Sequence, residues 1–190
     1  MLRNLLLLSI TFLFLSGCGT TVKINSSKLD FEQVNLGSKS KSEKKVFKSY
    51  LPDCPKEYNK RTWTDCYGIR IFKVSPVTGD SYEGEWKNGL FNGLGIFYYR
   101  ANNKFKGDRY EGEWKQGRFN GVGTYFYGAD TKFKGDKYIG EWRDGLFDGR
   151  GTYYHLAQNE LIGSTYVGQL KRGLKNGIGE YTFGPRSKYS

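Results

Sequence analysis

YEGEWKNGLFNGLGIFYY, residues 82–99, returns as YEGEWKQGRFNGVGTYFY at 110–127, YIGEWRDGLFDGRGTYYH at 138–155 and YVGQLKRGLKNGIGEYTF at 166–183. The leading residues Tyr82, Tyr110, Tyr138 and Tyr166 keep an unbroken 28-residue spacing. A fixed period of this length marks stacked supersecondary units, none of which buries its own apolar face alone. Equivalent units in a row present a surface rather than one asymmetric cleft, so binding or structural roles come ahead of catalysis.

Within each copy the residue types alternate. Tyr82, Gly84 and Trp86 fall on one face of an extended chain, and Glu83, Glu85 and Lys87 on the other, which is the period of a strand. Asn88-Gly89 and Asp144-Gly145 are hairpin-turn pairs, while Gln116-Gly117 and Arg172-Gly173 hold the same place with only the glycine kept. A second strand is predicted from Gly93 to Tyr99, with equivalents beginning at Gly121, Gly149 and Gly177. Paired glycines such as Gly93 and Gly95 weaken a strand unless something lies over them, and the recurring Tyr and Trp rings are the available cover. The predicted fold class is all-β, an elongated antiparallel single-sheet meander.

Tyr-x-Gly-x-Trp followed by x-x-Gly-x-x-x-Gly-x-Gly resembles the MORN repeat. The matching positions are Tyr82, Gly84, Trp86, Gly89, Gly93 and Gly95; Tyr110, Gly112, Trp114, Gly117, Gly121 and Gly123; and Tyr138, Gly140, Trp142, Gly145, Gly149 and Gly151. The fourth copy keeps Tyr166, Gly168, Gly173, Gly177 and Gly179 but carries Leu170 where Trp is expected. The resemblance implies hairpins stacked into a curved sheet and a role in protein assembly or membrane contact. The chain departs from the family in its longer connectors, RANNKFKGDR, GADTKFKGDK and LAQNELIGST, which are expected to project along one edge of the sheet. Upstream, WTDCYGIRIF resembles LFNGLGIFYY, with Gly68 in the place of Gly95. Residues 49–81 therefore read as a degenerate first repeat ahead of the four repeats at 82–183, with 184–190 as a tail. About nine strands spaced about 4.8 Å apart would give a sheet roughly 40 Å long.

The front of the chain has a different character. Arg3 precedes an apolar run at 5–15, too short to span a bilayer, and then Leu15-Ser16-Gly17-Cys18, which resembles a bacterial lipobox. Residues 1–17 read as a secretory signal peptide and Cys18 as the acylated first residue of the mature chain. Acyl chains contribute about 0.8 kcal/mol per buried methylene and hold such a protein at a membrane without help from the fold. Gly19 stands where aspartate would favour inner-membrane retention, so the expected location is the cell envelope, at the outer membrane facing the periplasm if the source is Gram-negative. Residues 18–48, rich in Ser, Lys, Asn and Thr, form the lipidated start and a tether with room for one short strand among Val22, Ile24, Leu29, Phe31, Val34 and Leu36. The formal net charge of +11 falls by one when Arg3 is removed. That excess either favours anionic neighbours or keeps an aromatic-rich surface soluble. Nucleic acid is not an expected partner of an exported chain.

Cys54 and Cys66, an even pair in an oxidising compartment, are expected to form a disulfide worth about 2–3 kcal/mol that caps the degenerate end. Two cysteines and the single His155 do not make a metal site, and no cofactor is expected. His155 stands at a tyrosine or phenylalanine position and reads as a stacking residue rather than a general base. Glu85, Glu113 and Glu141 form a ladder of equal positions, expected to pair with nearby Lys and Arg rather than to act as catalytic acids. The candidate binding residues are the repeated Trp86, Trp114 and Trp142, and the connector groups Lys104-Phe105-Lys106 and Lys132-Phe133-Lys134. Alternatively, Phe105 and Phe133 fold back and serve packing only. The expected function is a non-enzymatic envelope lipoprotein whose repeat sheet scaffolds or binds another envelope protein. The second expectation is direct binding of anionic lipid or glycan by the basic, aromatic edge.

Overall fold

The computed structural model describes residues 49–190, so the signal peptide expected at 1–17, Cys18 and the segment 19–48 lie outside the described residues. The described chain contains nine strands: β1 (Cys66–Ile71), β2 (Ser81–Lys87), β3 (Leu90–Tyr98), β4 (Arg109–Lys115), β5 (Arg118–Phe126), β6 (Lys137–Arg143), β7 (Leu146–Tyr154), β8 (Thr165–Lys171) and β9 (Leu174–Thr182). They form one sheet in chain order, each strand antiparallel to the next. This is the all-β single-sheet meander that period-two alternation and the turn pairs predict.

Each hairpin closes through two residues with positive φ, the signature of a two-residue primed turn. Asn88 and Gly89 lie at 52° and 69°, and Gln116 and Arg172, each at 51°, adopt the same left-handed conformation despite their side chains. The following glycine and the strand register on both sides hold them there. The second strand begins earlier than the glycine pattern suggests, at Leu90 rather than Gly93, because it carries a bulge. Gly84 pairs with Gly95 but Trp86 pairs with Phe91, so Asn92, Gly93 and Leu94 together oppose Glu85. The same shift recurs in each hairpin.

One face of the sheet is covered by rings. In the first full repeat Tyr82 lies over the Gly84–Gly95 pair and donates its hydroxyl to Glu85 O at 3.0 Å. Its ring stacks on Phe91 with centroids 3.9 Å apart and meets Trp86 edge-on at 5.1 Å. Trp114 of the next repeat closes the other side at 5.3 Å and sends its indole N–H back to Gly95 O at 3.1 Å. Tyr110 and Tyr138 repeat the motif, and Trp86 and Trp142 send the same backward bond to Gly68 O and Gly123 O. Tyr82, Tyr110 and Tyr138 are wholly buried. These rings supply the second layer that a lone sheet lacks, each large buried side chain being worth about 1.5–3 kcal/mol.

The two ends differ. At the first, Gly68 pairs with Gly84 as Gly95 pairs with Gly112, so β1 stands where the second strand of a repeat would. No first strand precedes it among the described residues. The segment 52–65 folds over β1 instead, Tyr67 exchanging backbone bonds with Pro52 and Cys54, and Cys54 is disulfide-bonded to Cys66. Trp63 takes the place that Phe91 has further on: its carbonyl accepts from Gly89 N, as Phe91 O accepts from Gly117 N, and its ring lies edge-on to Trp86 at 4.9 Å. At the other end Leu170 replaces Trp, and Lys175 replaces the stacking Phe. Lys175 lays its ammonium over Tyr166 and Tyr181 at 4.6 and 4.3 Å, which keeps the charge near water on a strand that is almost wholly exposed.

Candidate functional site

The connectors do not project as hairpins. Each is a compact turn folded back on its neighbour, Asn159 Nδ2 donating to Lys132 O at 3.0 Å and Lys188 N to Glu160 O at 2.9 Å. A buried small residue anchors each one: Ala101, Ala129 and Ala157 are 2%, 5% and 2% exposed. Five extra residues thus add a second stack, built of turns, along one margin of the sheet.

A row of carboxylates that composition did not single out holds this stack in place. Asp108 is buried, accepts the amides of Gly128 and Ala129 at 2.8 and 2.7 Å, and takes the Tyr125 hydroxyl at 2.6 Å. Asp136 does the same with Leu156 N, Ala157 N and Tyr153 Oη, and Asp80 with Arg100 N and Ala101 N. Each closes the connector of the following repeat. The fourth copy has Ser164, whose hydroxyl accepts Gly184 N at 3.1 Å. A signal was present in the Gly-Asp pairs two residues before Tyr82, Tyr110 and Tyr138, with Gly-Ser before Tyr166.

Residues 184–190, expected to be a tail, form a further turn of this stack. Lys188 and Tyr189 lie 28 residues beyond Glu160 and Leu161. The Tyr189 hydroxyl and the Lys188 ammonium both reach Glu160, at 3.2 Å each. The connector tips therefore form a column at one interval: Val77, Phe105, Phe133, Leu161 and Tyr189. Phe105, Phe133 and Tyr189 are 42%, 41% and 53% exposed. Each leans on an aromatic at the foot of its own connector, Tyr99, Tyr127 and Phe183 respectively, with centroids 5.5–5.9 Å apart. Burial, helped by Asp108 and Asp80, pushes the Tyr99 phenol up to about 12. Tyr127 is likewise pushed up to about 12, mainly by burial. Lys104 and Lys132 lie over the rings of Phe105 and Phe133 at 4.9 and 5.0 Å, and Lys134 pairs with Asp130 at 3.2 Å. The two Lys-Phe-Lys groups are thus both folded onto their own unit and open to solvent.

Trp86, Trp114 and Trp142, expected as binding residues, are instead buried in the ring layer. They are 1%, 5% and 6% exposed, closed off by the tyrosine and phenylalanine rings on either side. Their role is cohesion between repeats. The glutamate ladder also differs from expectation, since Glu85 and Glu113 accept Leu94 N and Val122 N at 3.2 and 3.1 Å inside the bulges. Gln169, which carries no charge, does the same for Ile178 N. Both carboxylates cap backbone, and among the described residues neither forms an ion pair with Lys or Arg.

The opposite face carries a cross-strand row, Tyr98, Arg109, Phe126, Lys137 and Tyr154. Arg109 lies over Phe126 at 4.2 Å and Lys137 over Tyr154 at 4.6 Å. Arg109 also pairs with Glu111 at 2.8 Å, while burial lowers the Lys137 ammonium below its ordinary value. His155, at a stacking position as expected, contacts Tyr153 and lies 3.9 Å from Asp136. Burial lowers it below its ordinary value, with Asp136 opposing. Among the described residues, no group of three or more His, Cys, Asp and Glu side chains is placed to hold a metal ion.

The MORN repeat family model matches residues 82–104, 110–130, 138–155 and 166–187. No curated protein is significantly similar to the chain. The matched segments coincide with the four hairpins β2–β3, β4–β5, β6–β7 and β8–β9 and, in part, the turns that follow them. Ring-roofed glycine pairs, register and family match agree, and residues 82–187 of this chain are an array of four MORN repeats.

Proposed function

We propose that the array is the binding scaffold of a non-enzymatic cell-envelope lipoprotein, tethered at a membrane through acylated Cys18 and presenting its connector column to another envelope protein. The observation that carries this reading is the column itself. Val77, Phe105, Phe133, Leu161 and Tyr189 put an apolar group at the same point of five successive turns, while the tryptophan face is used up in packing. Apolar side chains held in a row on rigid supports suit an extended partner better than a small ligand.

Photo-crosslinking in intact cells tests it, with a photoreactive residue placed at 105 or 133 and, as control, at 115 on the hairpin margin. One envelope protein attached from 105 and 133 but not from 115 is the expected result. Equal labelling from all three, or none, refutes the scaffold reading. The anchor is tested separately by Cys18→Ala, which accumulates as uncleaved precursor if the lipobox reading holds.

Lys104, Lys106, Lys132 and Lys134 favour a second reading, binding of anionic lipid or glycan, since each exposed cation near an anionic surface contributes about 1 kcal/mol. In protein lacking the acyl anchor, replacing all four by Gln should abolish salt-sensitive binding to anionic liposomes or lipopolysaccharide. Binding that is absent, or that ignores both the replacement and salt, removes this reading.

A further inference from the structure

The sheet has two edges, and they are treated differently. The outer margin of β1 is occupied by Pro52 and Cys54 and pinned by the disulfide. The outer margin of β9 has no neighbour among the described residues, and eight of its nine residues are exposed. Within the array, Gly95, Gly123 and Gly151 each pair with a glycine of the next repeat, and the equivalent Gly179 has none to pair with on that side. Ile178 and Leu174 on this strand are 85% and 73% exposed, whereas Leu94 and Val122, which stand where Ile178 does in earlier repeats, are half-buried. A strand edge carrying exposed apolar groups and no proline is a template for pairing.

We propose that β9 pairs with β9 of a second copy, antiparallel about a two-fold axis through Ile178, continuing the sheet across a homodimer. The Ile178 amide is turned inward to Gln169 Oε1 at 3.1 Å, and Gly177, with φ of 77°, lies in the bulge. In the first repeat the equivalent Gly93, Gly95 and Phe97 pair outward with Trp114, Gly112 and Tyr110, so Gly177, Gly179 and Tyr181 stand on a margin shaped for a further strand. The axis through Ile178 makes that residue a non-hydrogen-bonded pair with its own copy and lets Gly177 exchange bonds with the partner's Gly179. The side chains then match. Lys175 faces the partner's Tyr181, as it already lies over its own Tyr181 at 4.3 Å, Asn176 faces the partner's Glu180, and Leu174 faces the partner's Thr182. No like charges stand opposite one another. Moving the axis to Gly177 or Gly179 sets Ile178 against Asn176 or Glu180 and loses this agreement. Because the other edge is closed, pairing stops at two copies, giving a closed dimer rather than a filament.

Sedimentation of the purified full-length mature protein in detergent tests the proposal, together with Ile178→Lys, a change at an exposed position that leaves the fold intact. Wild type is expected to be a dimer, and Ile178→Lys to dissociate at least tenfold more readily. Ile178→Cys should form an intermolecular disulfide on mild oxidation. Asn176→Cys should not link to itself but should link when mixed with Glu180→Cys. A monomeric wild type overturns the proposal, as does a dimer indifferent to Ile178→Lys or one that links through Asn176→Cys alone.

Discussion

Substitution of Gly123 by alanine tests the principle on which the single layer stands, that a tyrosine ring takes the place of a side chain on the glycine pair. A Cβ at Gly123 would lie 2.5 Å from Tyr110 Cζ and 2.7 Å from Cε2. The ring has nowhere to go: it is wholly buried, stacked on Phe119 at 3.8 Å, and held edge-on by Trp114 and Trp142 at 5.1 and 5.2 Å. Overpacking a tight core costs about 1–3 kcal/mol and sometimes more, and displacing Tyr110 also breaks its 2.9 Å bond to Glu113 O, so a loss of about 3 kcal/mol is expected. Gly117→Ala is the control. Gly117 has φ of 77° but nothing within 4 Å of a new Cβ, so only backbone strain of about 1–2 kcal/mol applies, partly offset in the unfolded chain. Urea unfolding followed by tryptophan fluorescence gives both numbers, and Tyr110→Ala combined with Gly123→Ala should relieve most of the penalty. The reasoning fails if Gly117→Ala costs as much as Gly123→Ala, or if the double variant shows no coupling.

Asp108→Ala leaves two backbone amides and the Tyr125 hydroxyl without an acceptor, whereas Asp80→Ala leaves two amides, so the first should cost more, by about 1–3 kcal/mol, in the same unfolding assay. Alkaline pH should unfold the array. Tyr99 and Tyr127 are pushed up to about 12 in the fold, so their contribution is complete below about pH 10, the unfolded value, and is lost as pH rises from there through the folded value. Ultraviolet titration should show most tyrosines ionising together with loss of structure rather than independently near pH 10. His155 has the opposite sense: its contribution is complete above about pH 6.5 and lost as pH falls towards its lowered folded value, and His155→Tyr should flatten stability in that window, read by melting temperature against pH.

The hairpins were legible because each rests on local rules. Alternation in Tyr-x-Gly-x-Trp sets the faces, Asn88-Gly89 sets the turn, and a bare glycine pair demands a ring above it. What escaped depends on contacts between repeats. Burial of Trp114 follows from Tyr82 and Phe91 one unit earlier, and no window within a single repeat contains all three. The role of Glu85 requires the bulge at Asn92–Leu94, which two strands define jointly. Asp108 does not stand out in the sequence because the amides it satisfies, Gly128 and Ala129, lie in the next connector, 20 and 21 residues on. Residues 184–190 were hidden because GPRSKYS shares little with the earlier connectors beyond spacing and an aromatic at Tyr189.

The two long-range bonds point in opposite directions along the chain: each aspartate reaches forward to the next connector, and each indole reaches back to the previous glycine. Every internal repeat is thus clasped from both sides, so that one unit cannot open without its neighbours giving up a bond. The last unit has lost both clasps in their strong form, with Leu170 for the indole and Ser164 for the carboxylate, while the first is locked by Cys54–Cys66. Such a chain behaves like a zip fastener with one end stitched shut. Amide exchange should therefore be fastest in β9 and slow progressively towards β2, and whatever covers β9 acts as the slider's stop, governing the lifetime of the whole sheet from its far end.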